Sequence, residues 1–355
     1  MAGKRTALWL VRVSLLFFGK KDLSKLNRQF LIEQPRTENR SLTQGVRYEL
    51  GLVDGCRWEI AAEDEQAASI VSQLGRAMQL RMTTGVLDPS AHGRPCRLLV
   101  RVDMHTSAAD RYVPLALERA FGNHAISPSS LQSRESYRTL SLENDGVLCV
   151  VSSCNVLGGP YVNFVRLSLI FAREAQACGG VLIHGALAER DGIGVILAAP
   201  GGTGKTTASD RLPAPWRSLC DDTTLVVRDS QGNYWAHPWP TWSRFLDGGP
   251  GGTWDVQNAV PVKDIFFLVQ AVEDRVEGVG SGQAISLLEE SARQVSTFMA
   301  PDLCKEELRT LHLEQFNNLC ALARVVPSHL LHISLTGTFW QEIEQALQED
   351  IFRTA

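Results

Sequence analysis

Apolar and polar residues alternate through much of the first third of the chain. VRYELGLV and CRWEIAA place apolar side chains at every second position, and LLVRV at 98–102 is a short β-rich run, so each predicts a strand. ALWLVRVSLLFF near the start reads the same way. DEQAASIVSQLGRAMQLRM at 64–82 spaces its apolar residues three and four apart and predicts a helix. Residues 122–136, marked by Ser, Pro and Gly, predict a loop. TLSLEN and GVLCVVSS predict two further strands, and 161–178 predicts a helix stopped by Gly179-Gly180. VLIHGALAERDGIGVILAAP then predicts two strands about an Asp191-Gly192 turn. VKDIFFLVQAVED predicts a buried strand, and 283–300, 301–324 and 338–349 predict amphipathic helices. These patterns divide the chain into an N-terminal α+β domain, 1–160, and a second domain, 161–355.

Composition fits a folded α/β protein: 355 residues are 44% hydrophobic and 21% charged. The 35 basic and 39 acidic side chains give a net charge of −4, which argues against nucleic acid as a partner. Residues 1–60 carry 11 Lys/Arg against 6 Asp/Glu, a local excess of +5 that leaves −9 for the rest, and this suits either solvated charge or docking of an acidic partner. Arg12 interrupts the apolar N-terminal stretch, Lys20 and Lys21 follow it, and no small-residue cleavage site appears, so a secretory signal is not expected. No run reaches the ~18 to 20 apolar residues of a membrane span. Eight cysteines lack C-x-x-C spacing and read as reduced, mostly buried thiols, which predicts a cytoplasmic protein.

The chemistry concentrates after the second of the paired strands. Ala199-Pro200-Gly201-Gly202-Thr203-Gly204-Lys205-Thr206 has the form of a phosphate-binding loop, with Ala199 in place of the usual first glycine. Glycines let backbone N–H groups curl round phosphate oxygens, Lys205 can reach the β- and γ-phosphates, and the Thr206 hydroxyl can bind Mg²⁺. Gly201, Gly202, Thr203, Gly204, Lys205, Thr206 and Thr207 are therefore the expected nucleotide-binding residues. Downstream, Asp221 and Asp222 could divide the work between holding a metal and accepting a proton, or could form a solvated acidic turn. His184 opens the strand pair that carries the loop.

The arrangement IHGALAERDGIGVILAAPGGTGKTT…CDD resembles the catalytic core of HPr kinase/phosphorylase, whose phosphate-binding fold is shared with phosphoenolpyruvate carboxykinase. The resemblance covers roughly residues 165–355, matching His184-Gly185, Lys205 and the Asp221-Asp222 pair. It implies a P-loop kinase core in which ATP phosphorylates a hydroxyl, with Asp221 as base, His184 supporting it, and Asp222 and Thr206 at Mg²⁺. Thr207 stands where the HPr enzymes carry a Glu, and their later Gly- and Arg-rich signature is missing, which speaks against HPr itself as acceptor. The tract AHPWPTWSRF is similar to the SynChlorMet cassette protein ScmC family, a kinase-like component of peptide-modification cassettes.

Four Trp within residues 235–254 accompany Arg244 and a glycine-rich stretch at 248–252. Trp239, Trp242 and Arg244 could line an acceptor cleft under a mobile lid, or the tryptophans could simply form a core cluster. Two functions follow. One is an ATP- and Mg²⁺-dependent kinase acting on a Ser/Thr-type hydroxyl of a peptide, protein or small molecule, as a monomer or homo-oligomer. The other is a catalytically drifted nucleotide-binding module that recognises a peptide precursor or partner enzyme.

Overall fold

A computed structural model of the chain describes residues 45–83, 94–103, 137–142, 146–152, 160–241, 252–296 and 305–354. The strand expected at 7–18 and the loop at 122–136 lie outside these residues.

The N-terminal alternation builds a mixed sheet. Strands β1 (Arg47–Gly51) and β2 (Cys56–Ala62) pair antiparallel, burying Tyr48, Leu50, Trp58 and Ile60 on one face while Glu49 stands opposite Glu59 on the other. Two like charges directly across a ladder would repel. Arginines neutralise them: Glu49 accepts from Arg57 and Arg81, and Glu59 from Arg47 and Arg97. Arg47 and Arg57, two of the eleven N-terminal basic residues, are thus paired within the sheet, and the local excess of +5 stands. Helix α1 (Glu65–Ala77) follows, capped by Asp64, whose Oδ1 accepts from the Ala67 N–H at 2.8 Å while Oδ2 accepts from the Val102 N–H at 2.8 Å. One carboxylate therefore starts the helix and fixes it to the neighbouring strand. The sheet is completed by β3 (Arg81–Met82), β4 (Arg94–Asp103), β5 (Tyr137–Leu142) and β6 (Gly146–Ser152), in the order β3-β1-β2-β4-β6-β5 with β2, β4 and β6 parallel.

Helix α2 (Pro160–Ala177) leads into the larger sheet. Its strands are β7 (Val181–Ile183), β8 (Gly185–Arg190), β9 (Ile193–Ala198), β10 (Arg217–Cys220), β11 (Thr224–Arg228), β12 (Tyr234–Pro238) and β13 (Val260–Gln270), ordered β10-β8-β9-β13-β12-β11-β7. Strand β14 (Arg275–Gly278) pairs with β15 (Ser328–Ile333), which runs parallel to β13. The expected hairpin is present between β8 and β9: Asp191 and Gly192 take φ of 53° and 78°, the left-handed pair a tight two-residue turn needs. The segment before it divides, however. Residues 181–183 pair with β11 and residues 185–190 with β9 and β10, so the chain changes neighbours at His184.

Six helices are present among the described residues, the remaining four being α3 (Lys205–Arg211), α4 (Ser281–Ser296), α5 (Lys305–Val325) and α6 (Phe339–Thr354). One face of the larger sheet, with Phe266, Leu331 and Trp216, packs against α3 and α6. The other face joins α2, α4 and α5 in an apolar cluster that continues without interruption into the N-terminal sheet through Trp58 and Phe171, whose rings meet edge to face at 4.9 Å. The fold is thus mixed α/β with one apolar cluster crossing the expected boundary at 160. Among the described cysteines, Cys56, Cys96 and Cys220 are buried. Among the described residues no helix is long and apolar enough to cross a membrane.

Candidate functional site

Strand β9 ends at Ala198 and runs straight into the glycine-rich loop, which opens helix α3. Gly202 and Gly204 hold φ of 82° and 103°, where an L-residue is strained, so the loop's shape depends on the absence of a side chain at these two positions. Gly204 occupies the N-cap position, which leaves the first N–H groups of the turn without a side-chain cap. Thr206 and Thr207 are exposed, whereas Lys205 is buried and its Nζ donates to the carbonyl oxygens of Ala199 at 2.9 Å and Pro200 at 3.3 Å. Burial lowers the Lys205 ammonium from an ordinary 10.5 to about 8, although Asp222 and Asp221 pull in the other direction.

The two carboxylates sit just past β10, where the ladder with β8 slips between Ser218 and Cys220. They face different surroundings. Asp221 is 1% exposed, while the Asp222 side chain is 24% exposed and forms the centre of a polar cluster. Its Oδ1 accepts from His184 Nε2 at 2.8 Å and lies 3.9 Å from Lys205 Nζ; its Oδ2 accepts from Thr241 Oγ1 at 2.6 Å. Burial alone would raise the Asp222 carboxyl, but the hydrogen bond and charge of His184, the Lys205 ammonium and the Thr241 hydroxyl together hold it below the ordinary carboxylate range.

His184 is held on its far side by α4. Its Nδ1 meets Gln294 Oε1 at 2.7 Å, and its carbonyl accepts from Ser291 Oγ at 3.0 Å. A carboxylate can only accept, so Nε2 carries a proton toward Asp222, and the Gln294 amide holds the ring from its Nδ1 side. The strand junction supports this placement. A Cβ on Gly185 would lie 2.9 Å from Ile196 Cγ2, so only glycine lets the backbone approach β9 here, and Thr224 Oγ1 donates to the Gly185 carbonyl at 2.8 Å.

The structure therefore brings His184, Lys205 and Asp222 together beside the loop, with His184 bonded to Asp222. Thr241, Ser291 and Gln294 join the cluster from places the sequence does not mark. Thr241 hides in the tryptophan tract, and Gln294 lies on a helix 110 positions from its partner. Trp239 and Trp254 are fully buried in the apolar cluster, so Trp239 belongs to the core rather than to an open wall; Trp242, Arg244 and the glycines at 248–251 lie outside the described residues. His237 is structural. Its Nδ1 donates to the Val256 carbonyl at 2.6 Å, its Nε2 accepts from the Val53 N–H at 3.4 Å, and burial drives it down to about 4.

No curated protein matches the chain. The family model of the SynChlorMet cassette protein ScmC matches residues 147–348, from within β6 into α6. That is more than half of the 355 residues, and the chain belongs to the SynChlorMet cassette protein ScmC family.

Proposed function

We propose that the glycine-rich loop binds the phosphates of a nucleoside triphosphate, with ATP and Mg²⁺ as the expected pair, and that the cluster beside it transfers the γ-phosphoryl group to a hydroxyl of a peptide, protein or small molecule. The observation that carries this reading is the convergence of Lys205 and His184 on one partly exposed carboxylate, Asp222, at the mouth of a loop shaped by two left-handed glycines. Lys205 lies on its own loop's carbonyls and can exchange them for phosphate oxygens, which bind an ammonium far more strongly.

A carboxylate offers about four lone-pair directions, and His184 and Thr241 use two of them on Asp222, leaving the others for the substrate side. In the transfer, the acceptor oxygen bonds to the γ-phosphorus, the bond to the β,γ-bridging oxygen breaks, the nucleoside diphosphate leaves, and the hydroxyl proton passes to Asp222. The sequence suggested Asp221 for that proton. Its 1% exposure leaves it to act through its field on Lys205, and Asp222 takes the substrate-facing role. His184 is then a positioning residue that presents the carboxylate.

Oxygen donors suit Mg²⁺, and exposed Thr206 together with Asp222 would hold it. Among the described residues no group of three or more His, Cys, Asp or Glu gathers as a metal cage, which fits an ion that takes most of its ligands from phosphates and water. When bound it neutralises charge on the phosphoryl oxygens. A peptide hydroxyl, the acceptor that the sequence resemblances imply, is the first to test.

The full chain is incubated with labelled ATP, Mg²⁺ and candidate precursor peptides, with intact mass and thermal melting as readouts. Expected are a nucleotide-dependent rise in melting temperature, weakened in Lys205→Ala, and phosphoryl gain on a peptide. Asp222→Asn should lose transfer by roughly 10²-fold or more and need higher Mg²⁺ for nucleotide binding, because the same carboxylate takes the proton and helps hold the ion. No melting shift at millimolar Mg-ATP refutes nucleotide binding. A shift without transfer to any acceptor favours the non-catalytic module, for which the Thr at 207 is the supporting observation.

A further inference from the structure

Two large apolar side chains stand in solvent on adjoining loops: Val272 is 94% and Leu335 87% exposed. Single exposed apolar residues are ordinary, but these two follow directly on a pair of hydrogen-bonded strands. The parallel ladder between β13 and β15 ends at Gln270 and Ile333, the Ala271 N–H extends it by donating to the Ile333 carbonyl at 2.9 Å, and Val272 and Leu335 each lie two residues past that last pair. They mark the carboxyl edge of the parallel strands β9, β13 and β15, the edge where open α/β sheets bind ligands and the edge from which the glycine-rich loop rises.

Both loops are tied to that glycine-rich segment. Gln270 Nε2 donates to the Thr203 carbonyl at 3.2 Å, joining the Val272 loop to the phosphate loop itself. From α3, the helix that follows it, Arg211 donates to the carbonyls of Ser334 (2.7 Å) and Gly337, and Asp274 Oδ1 accepts from the Ser334 N–H at 2.6 Å, joining the Leu335 loop to the same unit. The result is an apolar ledge held at a fixed place beside a polar loop. This polarity matches a nucleotide, whose triphosphate is anionic and whose base has a broad apolar face.

Resting on the phosphate-loop reading above, we infer that Val272 and Leu335 form the nucleobase platform of the site. Their side chains carry no hydrogen-bonding groups, so the platform holds a base by its face and discriminates little between adenine and guanine.

The test separates base from phosphate. Calorimetric titration of the full chain measures Mg-ATP, Mg-GTP and Mg-tripolyphosphate, in the wild type and in a Val272→Ser, Leu335→Ser double variant. Both positions are exposed, so the variant retains the fold. Expected are comparable ATP and GTP affinities in the wild type, each weakened about tenfold in the variant by loss of apolar contact, with tripolyphosphate affinity unchanged. Equal weakening of all three ligands, or none for ATP and GTP, overturns the platform while leaving the phosphate loop standing. Failure of the wild type to bind any of the three overturns the phosphate loop, and the platform falls with it.

Discussion

At the level of single side chains, Lys205 sets the pH response of the proposed site. Its ammonium, lowered to about 8 by burial, is charged in the folded protein below that pH and neutral above it, whereas the unfolded chain keeps the proton to about 10.5. Between those values the unfolded state binds more protons, so this group's contribution to stability rises with pH across the window. Phosphate binding moves the other way, because it needs the charged form. Nucleotide Kd should therefore rise by about tenfold per pH unit above about 8, and Lys205→Met should bind weakly with no such slope, as titrations from pH 7 to 9.5 would show. An equal slope in both proteins would assign the pH dependence elsewhere. The loop lysine stands out in the sequence because its partners in space, the Ala199 and Pro200 carbonyls, are also its neighbours along the chain. The pairing of His184 with Asp222 does not, since adjacent Asp221 and Asp222 read alike and only the slip in β10 makes one a core residue and the other a site residue. Gln294 and Thr241 carry no local motif at all.

Among the elements, the β9–loop–α3 unit depends on backbone conformation more than on side-chain contact. A Cβ at Gly204 would meet nothing within 4 Å, yet its φ of 103° disfavours any L-residue. Gly192 in the β8–β9 turn has the same open space and a φ of 78°. Alanine at either should cost roughly 1–3 kcal/mol of strain and lower the melting temperature comparably. Only Gly204→Ala should also abolish nucleotide binding, because relieving its strain reshapes the phosphate cradle. Loss of binding in both variants would show that destabilisation, not loop shape, is responsible. This strand-loop-helix was predicted because alternation, a turn dipeptide and a glycine run fall in sequence order. Strand β15, SHLLHI, escaped detection: buried His329, stacked on Phe266 and bonded to Asp264, takes a place that an apolar residue would have marked. The break at His184 was equally hidden, because VLIHGALAER is apolar enough to read as one strand while hydrogen bonding divides it between two neighbours.

For the whole molecule, the continuous core means that the N-terminal sheet and the candidate site should unfold together. Trp58 is 1% exposed in β2, meets Phe171 of α2 edge to face, and belongs to the same apolar cluster as Leu187 and Ile196 of the β8–β9 pair. Sequence pattern placed a boundary near 160 because element types change there, but periodicity reports which face of an element is apolar and not what covers it. Removing the indole tests the covering. Trp58→Ala should cost ~3 to 5 kcal/mol, the scale of a large-to-small change in a packed core. Trp58→Phe should be far milder, below ~1.5 kcal/mol, because it keeps an aromatic ring against Phe171. It also removes a buried indole N–H that has no hydrogen-bond partner. Urea unfolding followed in parallel by circular dichroism and by loss of nucleotide binding should give one coincident transition in the wild type. In Trp58→Ala both signals should shift by the same amount, although Trp58 lies in the N-terminal sheet and the nucleotide would be held at the other. Separate midpoints, with binding retained after the first transition, would mean that the N-terminal sheet folds independently and that the shared cluster does not couple the two halves.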